Sequence, residues 1–235
     1  MKALILAAGL GSRLAPITDT VPKSLVPVNG MPILHKQIDN LHENGITDIT
    51  IISGYKGEIL SDYVKSRWPE INIINSPDYA TTNNMYSAYL GRDAVKGSPF
   101  LMMNADVFYD SSVVKALLSF DAPNAIVTEI GRYIEESMKV IKKDGRLYEI
   151  SKKVTPEEAF GTTIDVYKFS NMAGAAFFEK CREYIEDKKE LKMWSEVALN
   201  DVLKEVVFEA CELQGRWLEI DNHDDLKAAC ELFRD

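Results

Sequence analysis

The sequence predicts an α/β fold: a mainly parallel sheet flanked by helices, with a small antiparallel lid. Three observations predict it. Apolar, β-rich runs alternate with amphipathic helical stretches through the first half; the first of those runs opens straight into a glycine loop; and the second half changes to a hairpin followed by helices. Strands separated by helices of this length imply right-handed βαβ units and therefore a parallel sheet.

Residues 3–8 form the first strand, a short apolar run ending in small residues. Pro32 opens a helix whose apolar positions Ile33, Leu34, Ile38 and Leu41 keep helical spacing, and Asn44-Gly45 closes it. Residues 46–52 are a second strand, turned at Ser53-Gly54; a polar helix over 58–67 stops before Pro69; residues 71–74 are a third strand. Residues 84–95 read as a helix and 100–103 as a strand ending at Asn104-Ala105-Asp106. Further on, residues 139–141 and 147–150 flank Lys-Lys-Asp-Gly, the pattern of a hairpin with an Asp-Gly turn. Residues 172–178 read as a small-residue strand, 179–189 and 195–206 as helices, 217–220 as a strand and 223–233 as the last helix. With no repeat and no low-complexity linker, residues 1–235 read as one Rossmann-like domain, its lid spanning about 132–167 over the sheet's C-terminal edge.

A chain of 235 residues can bury a sizeable core, and 46% hydrophobic with 27% charged residues is ordinary for a globular protein. A net charge of −9 argues against nucleic acid as a partner, so a small anionic ligand needs a focused cluster of Lys and Arg. No apolar run approaches the ~20 residues of a membrane span. The opening apolar stretch flows into the glycine loop and reads as a buried strand, not a signal peptide. Cys181, Cys211 and Cys230 are odd in number and not closely paired, which points to reduced core thiols and a cytoplasmic location. Oligomeric state leaves no mark on the sequence.

The strongest signal is Leu6-Ala7-Ala8-Gly9-Leu10-Gly11-Ser12-Arg13-Leu14, followed by Pro22-Lys23-Ser24-Leu25. Small residues at a strand end let a flat base approach the backbone. Gly9 and Gly11 permit the φ/ψ values that turn successive N–H groups toward phosphate oxygens. Arg13 and Lys23 then place positive charge over a polyphosphate. A dinucleotide-binding loop would need glycine where Leu14 stands and an acid where Ser53-Gly54 stands. A Walker loop would need Gly-Lys-Ser/Thr closing the turn, whereas Lys23-Ser24 follows Pro22 well downstream.

LAAGLGSRL followed by PKSLVPVNGMPIL resembles the signature of the sugar-phosphate and small-molecule nucleotidyltransferases across roughly the first 35 residues. The resemblance implies a nucleotide-diphospho-sugar transferase-like fold, a loop that binds a nucleoside triphosphate, and catalytic roles for Arg13 and Lys23. Such a transfer calls for a divalent ion, here Mg2+. Asp106 and Asp221, each directly after an apolar strand, look like the family's metal-binding pair. Asp224 and Asp225 read instead as acids at the mouth of the last helix. His35, His42 and His223 lack ligand spacing.

The Gln-containing base-reading motif of sugar-nucleotide pyrophosphorylases is missing from residues 79–89. Asn-Asn-Met-Tyr-Ser is instead similar to phosphocholine-type cytidylyltransferases, which implies CTP as donor and Asn84 and Ser87 as base contacts. For the acceptor's side, family members carry basic residues at lid positions like Lys139 and Lys152. Trp194, Glu196 and Trp217 are further candidates, although core packing explains the tryptophans nearly as well. The resemblance implies CMP transfer from CTP to a small phosphorylated acceptor, phosphoglutamine before phosphocholine, in bacterial surface polysaccharide modification. Two alternatives stand beside it: a sugar-1-phosphate nucleotidyltransferase using UTP or TTP, and a catalytically silent, nucleotide-binding regulatory subunit.

Overall fold

The computed structural model describes residues 1–234. β1 (Lys2–Ala7) leads into single helical turns at Ser12–Leu14, Ile17–Asp19 and Lys23–Leu25. A short ribbon of β2 (Pro27–Val28) and β3 (Met31–Pro32) precedes α1 (Ile33–Glu43), β4 (Ile49–Ser53), α2 (Gly57–Lys65) and β5 (Asn72–Asn75). Then come α3 (Asn84–Leu90), α4 (Arg92–Val95), β6 (Phe100–Asn104), β7 (Val107–Tyr109), α5 (Ser112–Ser119) and β8 (Ala125–Ile130). The chain ends with β9 (Lys139–Lys143), β10 (Arg146–Ser151), β11 (Gly161–Phe169), α6 (Asn171–Arg182), α7 (Ser195–Glu205), β12 (Glu209–Glu212), β13 (Trp217–Glu219) and α8 (His223–Leu232).

The main sheet runs β10-β9-β11-β6-β1-β4-β5, with β8 also on β11 and β12 on β8. β1 pairs in parallel with β4 and β6, and β4 with β5, so the expected parallel sheet forms around the first strand. Alternation along β1 then builds three layers. Ala3 and Ile5 point to a core shared with Leu34, Ile38 and Leu41 of α1 and Leu60 and Val64 of α2. Leu4 and Leu6 point the other way, to Met85 and Ala88 of α3 and Phe177 of α6. Leu34, Ile38 and Leu41 are fully buried, each side chain contributing about 1.5–3 kcal/mol of hydrophobic burial, and this fixes α1 on the sheet.

Two expectations are corrected. Residues 172–178 are helical: Ala173, Phe177 and Cys181 recur every fourth residue and are all buried, and the Ser170 hydroxyl caps the start by accepting from the Ala173 amide. The helix expected over 84–95 breaks at Gly91, which lies against the Leu4 side chain. The antiparallel strands of the second half join the sheet: β11 pairs with β6, and the hairpin β9–β10 extends its edge. The strand expected near 217–220 forms as β13, outside the main sheet and antiparallel to β7, register Glu219–Val107.

Candidate active site

At the C-terminal ends of β1 and β6 the chain leaves a cavity of about 390 Å³. Leu6, Ala8, Gly9 and Arg13 from the glycine loop form one wall, and Ala7 and Lys23 line a small recess beside it. Gly11 and Ser12 belong to the same loop but do not line the cavity. Gly11 acts through space: its φ is 62°, and a Cβ there would lie 2.7 Å from the Lys23 Cβ. Its missing side chain lets the Lys23 stem pass behind the loop and reach the acids.

Lys23 Nζ donates to Asp106 Oδ2 at 2.7 Å and to Asp221 Oδ1 at 2.7 Å. Arg13 reaches the other Asp221 oxygen at 2.8 Å. Burial opposes the Lys23 charge, yet the two carboxylates win and hold its ammonium above the usual lysine range. Asp221 answers in kind: burial pushes it up, and Lys23 with Arg13 brings it below the usual carboxylate range. The two aspartates named from the sequence thus meet across 115 residues of chain, because the β7–β13 ribbon brings the end of β13 beside the end of β6. Asp224 and Asp225 start α8; Asn222 and Asp225 complete a reciprocal cap whose carboxylate also accepts from the Asp221 amide.

Sequence reasoning missed a third acid. Oxygen atoms of Asp106, Glu219 and Asp221 lie within 4.8 Å of one another. The signal was present, since residues two apart on a strand share a face and Glu219 precedes Asp221 by two. Burial first, then the charges of Asp106 and Asp221, push Glu219 up to about 7. Asp106 Oδ1 is buried with no partner among the described residues. Three clustered carboxylates and an orphaned oxygen form an oxygen-only donor set that suits a hard divalent cation.

The cavity is also lined by Asn84, Ser87, Lys152, Trp194 and Glu196. Asn84 Oδ1 accepts from the Ser195 amide at 2.8 Å, leaving its Nδ2 as a donor, and so ties α3 to the start of α7. Lys152 places Nζ 5.3 Å from the centre of the Trp194 indole. Two candidates are corrected. Lys139 is fully buried and donates to the Glu135 and Lys152 carbonyls, pinning the lid to itself. Trp217 is packed in the core, its Nε1 donating to Glu129 at 2.7 Å. The lone lysine in a strand and the tryptophan were on the inward face, which alternation alone could not assign to core or cavity.

Another unforeseen acid, Asp165, sits where β11 loses register with β8. Its φ of 57° is a left-handed value that aspartate tolerates better than most residues, and the bulge turns its side chain to the cavity. Asn104 Nδ2 donates to Asp165 Oδ2 at 2.9 Å. The Tyr167 hydroxyl lies 2.9 Å from Asp165 Oδ1 and 2.8 Å from Glu196 Oε1. One hydroxyl hydrogen cannot serve both contacts. Burial, with Glu196 and Glu219 nearby, drives Asp165 well above the usual carboxylate range.

A triphosphate-sized cleft at the ends of parallel strands, with loop cations facing clustered acids, defines an α/β enzyme that handles phosphate esters. The chain matches the Nucleotidyl transferase family over residues 2–232 and belongs to it. It is similar to the CTP:phosphoglutamine cytidylyltransferase of Campylobacter jejuni, 28% identical over 98% of this chain and 100% of that protein. A stretch of 98 residues, 42% of each chain, is 47% identical to the choline-phosphate cytidylyltransferase of Streptococcus pneumoniae. The solved CTP:phosphocholine cytidylyltransferase of Streptococcus pneumoniae superposes with a TM-score of 0.82 at 25% identity, covering 99% of both chains. The chain spans about half the length of several other curated relatives it matches, which are bifunctional proteins. No helix among the described residues is long and apolar enough to cross a membrane.

Proposed function

We propose that the protein transfers CMP from CTP to a small phosphorylated acceptor and releases pyrophosphate. The observation that carries the reading is the Lys23 ammonium held 2.7 Å from both Asp106 and Asp221 at the mouth of the glycine loop. A phosphate oxygen of the acceptor attacks the α-phosphorus of CTP; the new O–P bond forms as the bond to the β-phosphate oxygen breaks. The acceptor phosphate is anionic near neutral pH, so no residue has to remove a proton. The chain contributes position and charge. Backbone N–H groups of the loop, Arg13 and Lys23 neutralise the triphosphate, and Asn84 Nδ2 offers a donor to the cytosine edge with Ser87 beside it. Asp106, Glu219 and Asp221 would hold magnesium, which supplies charge withdrawal from the departing pyrophosphate.

Lys152 and Trp194, which line the same cavity as the loop, are assigned to the acceptor's side. Similarity to cytidylyltransferases over nearly the whole chain supports CTP as the donor, and phosphoglutamine, then phosphocholine, are the acceptors we favour. The product would be a CDP-linked head group, an activated form suited to later attachment to a surface polysaccharide. Retention of Arg13, Lys23 and three clustered acids argues against a silent nucleotide-binding subunit, which has little use for a metal site. A pyrophosphate-release screen tests the proposal: each nucleoside triphosphate is paired with phosphoglutamine, phosphocholine, phosphoethanolamine and hexose phosphates, with and without magnesium. Release with a hexose phosphate and UTP or TTP would favour the sugar enzyme; no release from any pair would sink the transferase reading.

A further inference from the structure

The cavity holds a second polar centre that the transfer chemistry leaves unused. Glu196 is 3% exposed and lines the cavity, and its Oε2 has no partner among the described residues. Its other oxygen is already taken, accepting from the Ser195 hydroxyl at 3.0 Å and lying 2.8 Å from Tyr167. Asp165 stands on the far side of the same tyrosine, its Oδ2 occupied by Asn104. The two acids and Tyr167 form one hydrogen-bonded wall of the cavity. A buried acceptor without a donor is unfavourable, and more so when charged, so the site is built for something that arrives.

We infer that Glu196, with Asp165 behind it, binds an ammonium group bearing N–H hydrogens at the non-reacting end of the phosphorylated acceptor. The inference rests on the transferase reading above and names the acceptor's chemical class. A protonated amine offers Oε2 both positive charge and N–H donors, whereas a hydroxyl offers a donor without the charge. A fully methylated ammonium carries the charge but has no N–H, so Oε2 stays unsatisfied; it binds best inside several aromatic faces. Here the aromatic side chains lining the cavity are Tyr79 and Trp194, and the Lys152 ammonium already stands over the indole. The indole closes the site on one side, and the carboxylate chooses the ligand.

Calorimetric titration of the full chain, saturated with magnesium and α,β-methylene-CTP, tests this with three probes of equal reach: phosphoethanolamine, phosphocholine and 2-hydroxyethyl phosphate. Phosphoethanolamine should bind about tenfold or more tightly than either of the others, the scale of a charge-assisted hydrogen bond. Glu196→Gln keeps an Oε1 for Ser195 and Tyr167 but removes the charge, and should bring that ratio to within about threefold by weakening phosphoethanolamine alone. Asp165→Asn serves as the second variant should the first fail to fold, with the same expected narrowing. Equal binding of all three probes, tighter binding of phosphocholine, no binding of phosphoethanolamine, or an unchanged ratio in the variants would overturn the inference. Pyrophosphate release with CTP and the same probes separates the two readings. The binding order without release removes the transferase assignment and leaves the ammonium site; release without the binding order does the reverse.

Discussion

Replacing Lys23 by methionine should cost the metal-free protein about 3 kcal/mol, and a divalent cation should return most of it. In the native protein one ammonium, only 13% exposed at its side chain, satisfies Asp106 and Asp221 at 2.7 Å each. Lys23→Met preserves the stem that packs beside Gly11 but leaves Asp106, Glu219 and Asp221 mutually within 4.8 Å. Arg13, largely exposed, remains as their cation. Removing one partner of a buried ionic group typically costs about 3–5 kcal/mol; partial exposure of the acids puts the expected loss at the lower end. For a chain of this size that is a fall in Tm of about 6–12 °C. Thermal melts of wild type and Lys23→Met in chelator and in 10 mM magnesium, without nucleotide, read it directly. Magnesium should raise the variant's Tm clearly more than the wild type's, because in the wild type it must displace the ammonium. An unchanged Tm in chelator, or an equal magnesium shift in both proteins, would refute the idea that one lysine neutralises the site. Turnover of the variant should fall by several orders of magnitude; near-normal turnover removes Lys23 from the catalytic set.

Four further outcomes follow from the same geometry. Asp106→Ala should abolish metal-dependent pyrophosphate release while leaving the protein folded by circular dichroism. Glu219, pushed up to about 7 by burial and its acidic neighbours, is raised in the folded state relative to its ordinary value of 4.5. Its favourable contribution is therefore complete below 4.5 and is lost as pH rises through 7, by about 1–3 kcal/mol in chelator; Glu219→Gln should flatten that part of the Tm–pH profile. At the far end of β7, Asp110 is the opposite case. Burial raises it, but the Arg216 side chain and amide bring it below its ordinary value, so its stabilisation is present above 3.8 and lost on acidification. Asp110→Asn should cost about 1 kcal/mol at neutral pH and less at pH 3, read by urea titration. Gly11→Ala, with φ at 62° and a Cβ placed 2.7 Å from Lys23, should lower stability by about 1–2 kcal/mol and turnover with it, whereas Gly9→Ala meets no atom within 4 Å and should be the milder change.

The first half of the molecule was readable because its signals are local. The run before Gly9, the spacing of Ile33, Leu34, Ile38 and Leu41, and the stop at Asn44-Gly45 each depend on neighbours a few residues away, and β1, α1 and β4 follow from them. The hairpin over β9 and β10 was legible for the same reason, through its Asp-Gly turn. The strand reading of residues 172–178 failed because small residues suit close packing in either state. Ser170 as cap and the contact of Gly174 with Phe100, 74 residues earlier, decided for a helix.

The chain by itself determined the chemistry at the loop: small residues, two glycines, Arg13 and Lys23, and the acids after two apolar strands. Tertiary structure decided which groups meet. It placed Glu219 with Asp106 and Asp221, buried Lys139 and Trp217 away from the cavity, and turned Asp165 toward Glu196 through a bulge in β11. The physical reason is that residue type fixes what a side chain can donate, accept or ionise, whereas its partner is set by strand register and crossover. Neither is written at the position of the residue itself. A one-residue change in the register of β13 against β7 would send Glu219 and Asp221 to the other face, and the same sequence motif would hold nothing.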